Sequence, residues 1–164
     1  MRDLASAVGI EAASLYNHIK SKNELLEGIA FDMAEDFFTE LALVEDSRLN
    51  PSEKLPLYIR SHINVIVGNM NAAAVFLHEW RYLDEHKLQE FIILRVQYED
   101  KFVQLIKEGM DCGDFKQVDE KFYTMSLFSS MNWLYDWYKP EGEFSPDGIA
   151  DRISRIFLQG IINE

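Results

Sequence analysis

Residues 2–24 read RDLASAVGIEAASLYNHIKSKNE, and this stretch decides the fold. Leu4, Ala5 and Val8 recur at helical spacing, Gly9 interrupts, and Ile10, Leu15 and Ile19 resume an apolar side. The pattern predicts a short helix, a tight turn and a second short helix. Ala5 is small where two helices must cross closely, and Gly9 is free to take the positive φ that such a turn requires. That arrangement presents its second helix to a DNA major groove.

Outward from this segment the apolar spacing stays helical. Leu25, Leu26, Ile29, Ala30, Met33, Phe37 and Leu41 share one face of a long helix over 22–45. No stretch alternates with period two for the length of a strand, so the chain reads as all-α. Ser21-Lys22-Asn23-Glu24 is a capping box, with Glu24 expected to reach back to the cap. Asn50-Pro51-Ser52-Glu53 repeats it with proline at the first helical position. Asn69-Met70-Asn71 marks a break, Gly109 to Gly113 an ending, Asp119 a cap, Tyr138 to Gly142 a loop, and Ser145-Pro146 a start. These signals predict a helix pair at 2–19, then helices at 22–45, 51–69, 72–84, 87–110, 119–138 and 146–162. Two functional parts are expected: 1–45 and 46–164.

The chain has 164 residues and a formal net charge of −12, unevenly spread. Residues 1–24 hold three bases (Arg2, Lys20, Lys22) and three acids (Asp3, Glu11, Glu24), whereas 25–164 hold 13 bases against 25 acids. A neutral reading head on an acidic body binds DNA best as a dimer, with a steep salt dependence. No uncharged apolar run is long enough to span a membrane, and no export leader opens the chain. The single cysteine, Cys112, sits in a turn-like Asp-Cys-Gly-Asp and forms no internal disulfide, in keeping with a reducing cytoplasm.

The front segment closely resembles the TetR family, whose pattern runs Asp-Ile/Leu-Ala, Ala-x-Gly-Val/Ile, Leu-Tyr-x-His/Tyr-Phe and Ser-Lys-x-x-Leu. The matching residues are Asp3-Leu4-Ala5, Ala7-Val8-Gly9-Ile10, Leu15-Tyr16-Asn17-His18-Ile19 and Ser21-Lys22 with Leu25. The resemblance implies an operator-binding helix-turn-helix followed by an all-helical ligand-binding and dimerisation domain. It assigns phosphate contacts to Ser14, Tyr16, His18 and Lys22, and groove-facing positions to Ala12, Ala13 and Asn17. Asn17 alone of those three carries the paired donor and acceptor suited to an adenine edge. A packing role is the alternative for Tyr16 and His18. Glu11 stands where the family favours Ser or Thr, and its carboxylate repels nearby phosphate. The family pattern also has a helix ahead of the segment that begins here at Met1; in its absence Leu4, Val8, Leu15 and Ile19 are expected to lose cover.

The remainder carries no catalytic signature: no Gly-rich phosphate loop, no His-Glu-x-x-His, no Cys-x-x-Cys. His18, His62, His78 and His86 do not pair at one-turn spacing, and they read as surface or core residues rather than metal ligands. No enzyme activity, cofactor or metal is expected. What stands out is the aromatic run Phe128 to Tyr138. Asn132-Trp133-x-x-x-Trp137-Tyr138-x-Pro140-x-Gly142 resembles a TetR subgroup that represses fatty-acid and steroid catabolism and responds to acyl-CoA thioesters. The resemblance implies a homodimer through helices 119–138 and 146–162. It also implies a pocket for a small apolar ligand, such as an acyl-CoA, among Phe76, Trp80, Phe91, Arg95, Tyr98, Met125, Phe128, Asn132 and Trp133. The leading expectation is a repressor that leaves its operator when that ligand binds. The alternative is a ligand-binding all-α dimer that does not bind DNA in this form.

Overall fold

The computed structural model of the chain describes residues 2–9, 11, 13–14 and 19–162. Helix α1 covers Arg2–Ala7, and Gly9 follows with φ +72°, the left-handed turn that a side chain at this position would strain. Ala5 is buried, as its small size at a helix crossing predicts. Ala13 and Ser14 are helical and exposed. Four residues assigned to DNA contact, Ala12, Tyr16, Asn17 and His18, lie outside the described residues.

Helix α2 runs Lys22–Glu45. Its Ser21 cap accepts a hydrogen bond from the Glu24 amide at 3.0 Å. Glu24 reaches back one residue further than the capping box predicts, accepting from the Lys20 amide at 2.6 Å. Its buried face is Leu26, Ala30, Met33, Ala34, Phe37 and Leu41, while Leu25 and Ile29 are half-buried.

Helix α3, Pro51–Gly68, opens with a complete capping box: Asn50 Oδ1 accepts from the Glu53 amide at 2.9 Å, and Glu53 accepts from the Asn50 amide at 3.0 Å. It is the central post of the molecule. Leu55, Tyr58, Ile59, Ser61, His62, Ile63, Val65 and Ile66 are all buried, a set too wide for one face, because α3 is enclosed by neighbours on most sides. Those neighbours are α2, α4 (Met70–His78), α5 (Glu85–Cys112), α6 (Glu120–Asn132), α7 (Leu134–Trp137) and α8 (Pro146–Ile161).

Three predicted helices have different bounds. The helix expected at 72–84 starts at Met70, because Asn69 itself caps it by accepting from the Ala72 amide at 3.1 Å. It ends at His78, and Glu79–Tyr82 tighten into a 3-10 turn. The helix expected at 119–138 is two pieces broken at Trp133. Helix α5 extends to Cys112 and stops at Gly113, whose φ of +87° forms the left-handed end. Gly109 lies one turn inside α5 for another reason: the buried Phe115 ring folds back onto its Cα, where a methyl group would collide. Among the described residues no strand forms, only an isolated bridge between Phe115 and Ile162, and no helix is long and apolar enough to cross a membrane.

Candidate functional site

The interior holds a group of rings around one histidine. His62 on α3 is 2% exposed and stacks on Phe37 of α2 at 4.7 Å between centroids. Phe128 of α6 meets its edge at 5.1 Å, and Tyr98 of α5 lies at 5.8 Å. Both ring nitrogens are bonded: Nδ1 to the Tyr98 hydroxyl at 3.2 Å and Nε2 to Asn132 Oδ1 at 2.9 Å. The amide oxygen can only accept, so Nε2 carries the proton and Nδ1 accepts from the tyrosine hydroxyl. Burial in this apolar shell pulls the His62 pKa down to about 4, against a smaller upward pull from Asn132. The ring is neutral at physiological pH. Burial likewise pushes the Tyr98 hydroxyl up, so it is always protonated.

A narrow cleft that reaches solvent opens beside this group, with a cavity volume of about 30 Å³. Its walls come from five helices. Ala34, Phe37 and Phe38 belong to α2, His62 to α3, Phe76 and Leu77 to α4, and Leu94, Arg95, Tyr98 and Glu99 to α5; Phe128 and Asn132 close it from α6. The lining is apolar except for His62, Asn132 and Tyr98 at the floor and Arg95 with Glu99 at the rim. Arg95 is half-buried, 3.8 Å from Glu99, with its guanidinium over the Trp80 ring at 4.8 Å. Burial lowers its pKa, and Arg81 adds to that; Arg81 stacks on the same indole at 4.5 Å.

Of the pocket residues expected from sequence, Phe76, Arg95, Tyr98, Phe128 and Asn132 meet around this cavity. Phe91 is fully buried behind it, against Phe76 and Trp80. Trp80 flanks the rim through Arg95. Met125 and Trp133 do not line it: they are 57% and 61% exposed. The buried face of α6 is Thr124, Leu127, Phe128 and Met131, whereas Phe122, Met125, Ser129 and Trp133 follow three- and four-residue steps along its outer side. Sequence reading missed His62, which it classed as surface or core. It sits between Ser61 and Ile63 with no motif around it, and nothing local signals that Asn132, 70 residues on, becomes its partner.

The outer stripe of α6 faces solvent, and Ile156 of the adjoining α8 is exposed as well at 68%. At the other end, Lys22 is exposed and opens α2. Asn23 donates to Asp84 at 2.6 Å, and Lys87 pairs with Glu27 at 3.2 Å, so the start of α2 is fastened to the start of α5. Twelve residues separate Lys22 from the cavity-lining Ala34, about 18 Å of continuous helix. One continuous helix therefore links the end of the front segment to the cavity wall. Among the described residues no group of His, Cys, Asp and Glu has the clustering to hold a metal.

Known proteins share this architecture. Residues 48–161 match the tetracyclin repressor-like C-terminal domain family. The transcriptional repressor KstR2 of Mycolicibacterium smegmatis is 26% identical over 98% of this chain and 80% of its own length. The structure of the ketosteroid transcriptional regulator KstR2 of Mycobacterium tuberculosis superposes with a TM-score of 0.93 at 22% identity, covering 99% of this chain and 84% of that one. AibR, solved with isovaleryl coenzyme A and operator DNA, gives 0.82 at 25% identity over 94% and 84% of the two chains. With a front segment of the TetR pattern and a body matched from residue 48 to 161, this chain belongs to the TetR family of transcriptional regulators.

Proposed function

We propose that the protein is a homodimeric DNA-binding repressor that leaves its operator when a small, largely apolar ligand enters the His62 cavity. The carrying observation is α2. It starts at Lys22, the residue matched to a phosphate contact, and supplies Ala34, Phe37 and Phe38 to the cavity wall. A ligand that moves these side chains moves the connecting helix that follows the reading helix pair (residues 2–19). Two conformations with different ligand affinity then necessarily differ in operator affinity.

The cavity's size bears on how this works. Pockets that enclose small ligands run to about 300–1,000 Å³, and the enclosed volume here is about 30 Å³. Entry of a ligand thus requires the half-buried rim, Phe38, Arg95 and Glu99, to swing out. Ligand binding and rearrangement are one event. An acyl-CoA fits the scheme with its acyl chain in the cleft and an anionic portion near Arg95 and Arg81; AibR, a similar protein, was solved with such a thioester.

For the dimer we assign the face carrying Phe122, Met125, Trp133 and Ile156. Large apolar side chains exposed together on adjoining helices are unusual for a monomer and ordinary for a subunit interface. DNA contact falls to Ala12, Ala13 and Asn17 at the base edges and to Ser14, Tyr16, His18 and Lys22 at the phosphates. A fluorescence-anisotropy titration with DNA flanking the protein's own coding sequence tests the reading. Binding relieved by medium-chain acyl-CoA supports it. Ligand binding with no DNA affinity selects the alternative of a ligand-binding dimer that does not read DNA.

A further inference from the structure

The polar group at the cavity floor is more elaborate than packing requires. Filling this space with apolar side chains would avoid the cost of burying an imidazole, a phenol and an amide together. Instead the three are chained: Tyr98 O–H donates to His62 Nδ1, and His62 Nε2–H donates to Asn132 Oδ1. The chain fixes which way the amide points. With Oδ1 held by His62, the Asn132 NH2 group takes the opposite position, and no described protein group accepts from it. Asn132 lines the cavity, so this NH2 is a donor held ready at an apolar cleft. The cavity volume of about 30 Å³ is enough for one oxygen-sized group.

We propose that the oriented Asn132 NH2 recognises a hydrogen-bond acceptor oxygen, a carbonyl above all, on the part of a ligand that enters the cleft, the rest of that part being hydrocarbon. His62 and Tyr98 act as positioning residues that keep the amide from rotating. This deepens the reading of the cavity as a ligand site and rests on it. The selectivity follows from an asymmetry of hydrogen bonding. A ligand without the oxygen still gains the apolar contacts with Phe37, Phe76 and Phe128, but it strips solvent from the amide and returns nothing. A donor-only group meets N–H against N–H and is rejected.

The test uses two small molecules of the same skeleton, 1-tetralone and tetralin, titrated into the full chain by calorimetry. The natural protein is expected to bind the ketone about tenfold more tightly, the usual effect of one such bond. In Asn132→Leu that ratio falls to about one, with tetralin affinity retained. In Tyr98→Phe the ring packing stays but the proton donor to His62 is lost, so the ratio shrinks while tetralin is again unaffected. Nitrogen NMR of the His62 ring provides a readout that loss of packing would not move: Nε2 carries the proton in the natural protein, and tautomers mix in Tyr98→Phe. Equal affinity for the two molecules in the natural protein overturns the proposal and leaves an unselective apolar site standing. Binding of neither overturns the cavity as a ligand site and this inference with it. A proton found on Nδ1 overturns the proposed orientation of the amide.

Discussion

Lowering the pH from 7 to 5 should cost this protein stability through His62, and the size of the loss follows from its surroundings. The ring is 2% exposed, and burial holds its pKa at about 4, against an ordinary 6.5. A histidine whose folded pKa lies below its unfolded value stabilises the fold in its neutral form. That stabilisation is complete above pH 6.5, is lost as pH falls through the window from 6.5 to 4, and is gone below it. A displacement of two to three units corresponds to about 3 kcal/mol in full, of which about 2 kcal/mol disappears between pH 7 and 5. Other groups titrate in the same interval, so the measurement is a difference. Urea unfolding of the natural protein and of His62→Gln is followed at both pH values. The variant loses the stack on Phe37 and is less stable at pH 7. The gap between the two proteins should then narrow by about 2 kcal/mol at pH 5, because glutamine has no proton to gain. A gap that stays constant would refute the reasoning, since it would mean that His62 takes up its proton as readily folded as unfolded.

Four further outcomes follow. Gly109→Ala sets a methyl group into the buried Phe115 ring and should cost about 1–3 kcal/mol by thermal or urea unfolding. Asn50→Ala removes the side-chain half of the capping box at α3 and should cost about 1 kcal/mol in the same assay. Phe122→Glu with Trp133→Glu places charge on the outer stripe of α6. Light scattering should fall from twice the 19.1 kDa chain mass to a single chain, with the melting temperature little changed if the residues face only a partner. Lys22→Ala should weaken DNA binding about equally for all sequences and reduce the salt slope by about one.

Much of the fold was legible because its signals are local. Asn50, Asp119 and Ser145 each cap the helix that their position announces, and Gly9 takes the positive φ that the turn demands. The breaks at Trp133 and His78 were not legible, because helical apolar spacing continues through both and tertiary packing decides where the helix ends. The site divides in the same way. Phe76, Arg95, Tyr98, Phe128 and Asn132 converge as the resemblance implies. Met125 on the helix of Phe128 and Asn132, and Trp133 at its end, project from the other side, a difference of rotation that an aromatic count cannot supply. His62 was overlooked because its role depends on partners from α5 and α6, and pairing over that sequence distance leaves no trace in one sequence.

The most direct test of the central claim is thermodynamic reciprocity between the cavity and the reading segment. Operator affinity is measured by anisotropy with and without saturating acyl-CoA, and acyl-CoA affinity by calorimetry for the free and the operator-bound protein. If α2 couples the two sites, ligand weakens operator binding by some factor, typically about 5- to 150-fold, and operator weakens ligand binding by the same factor. Equal acyl-CoA affinity for the free and the DNA-bound protein would contradict it.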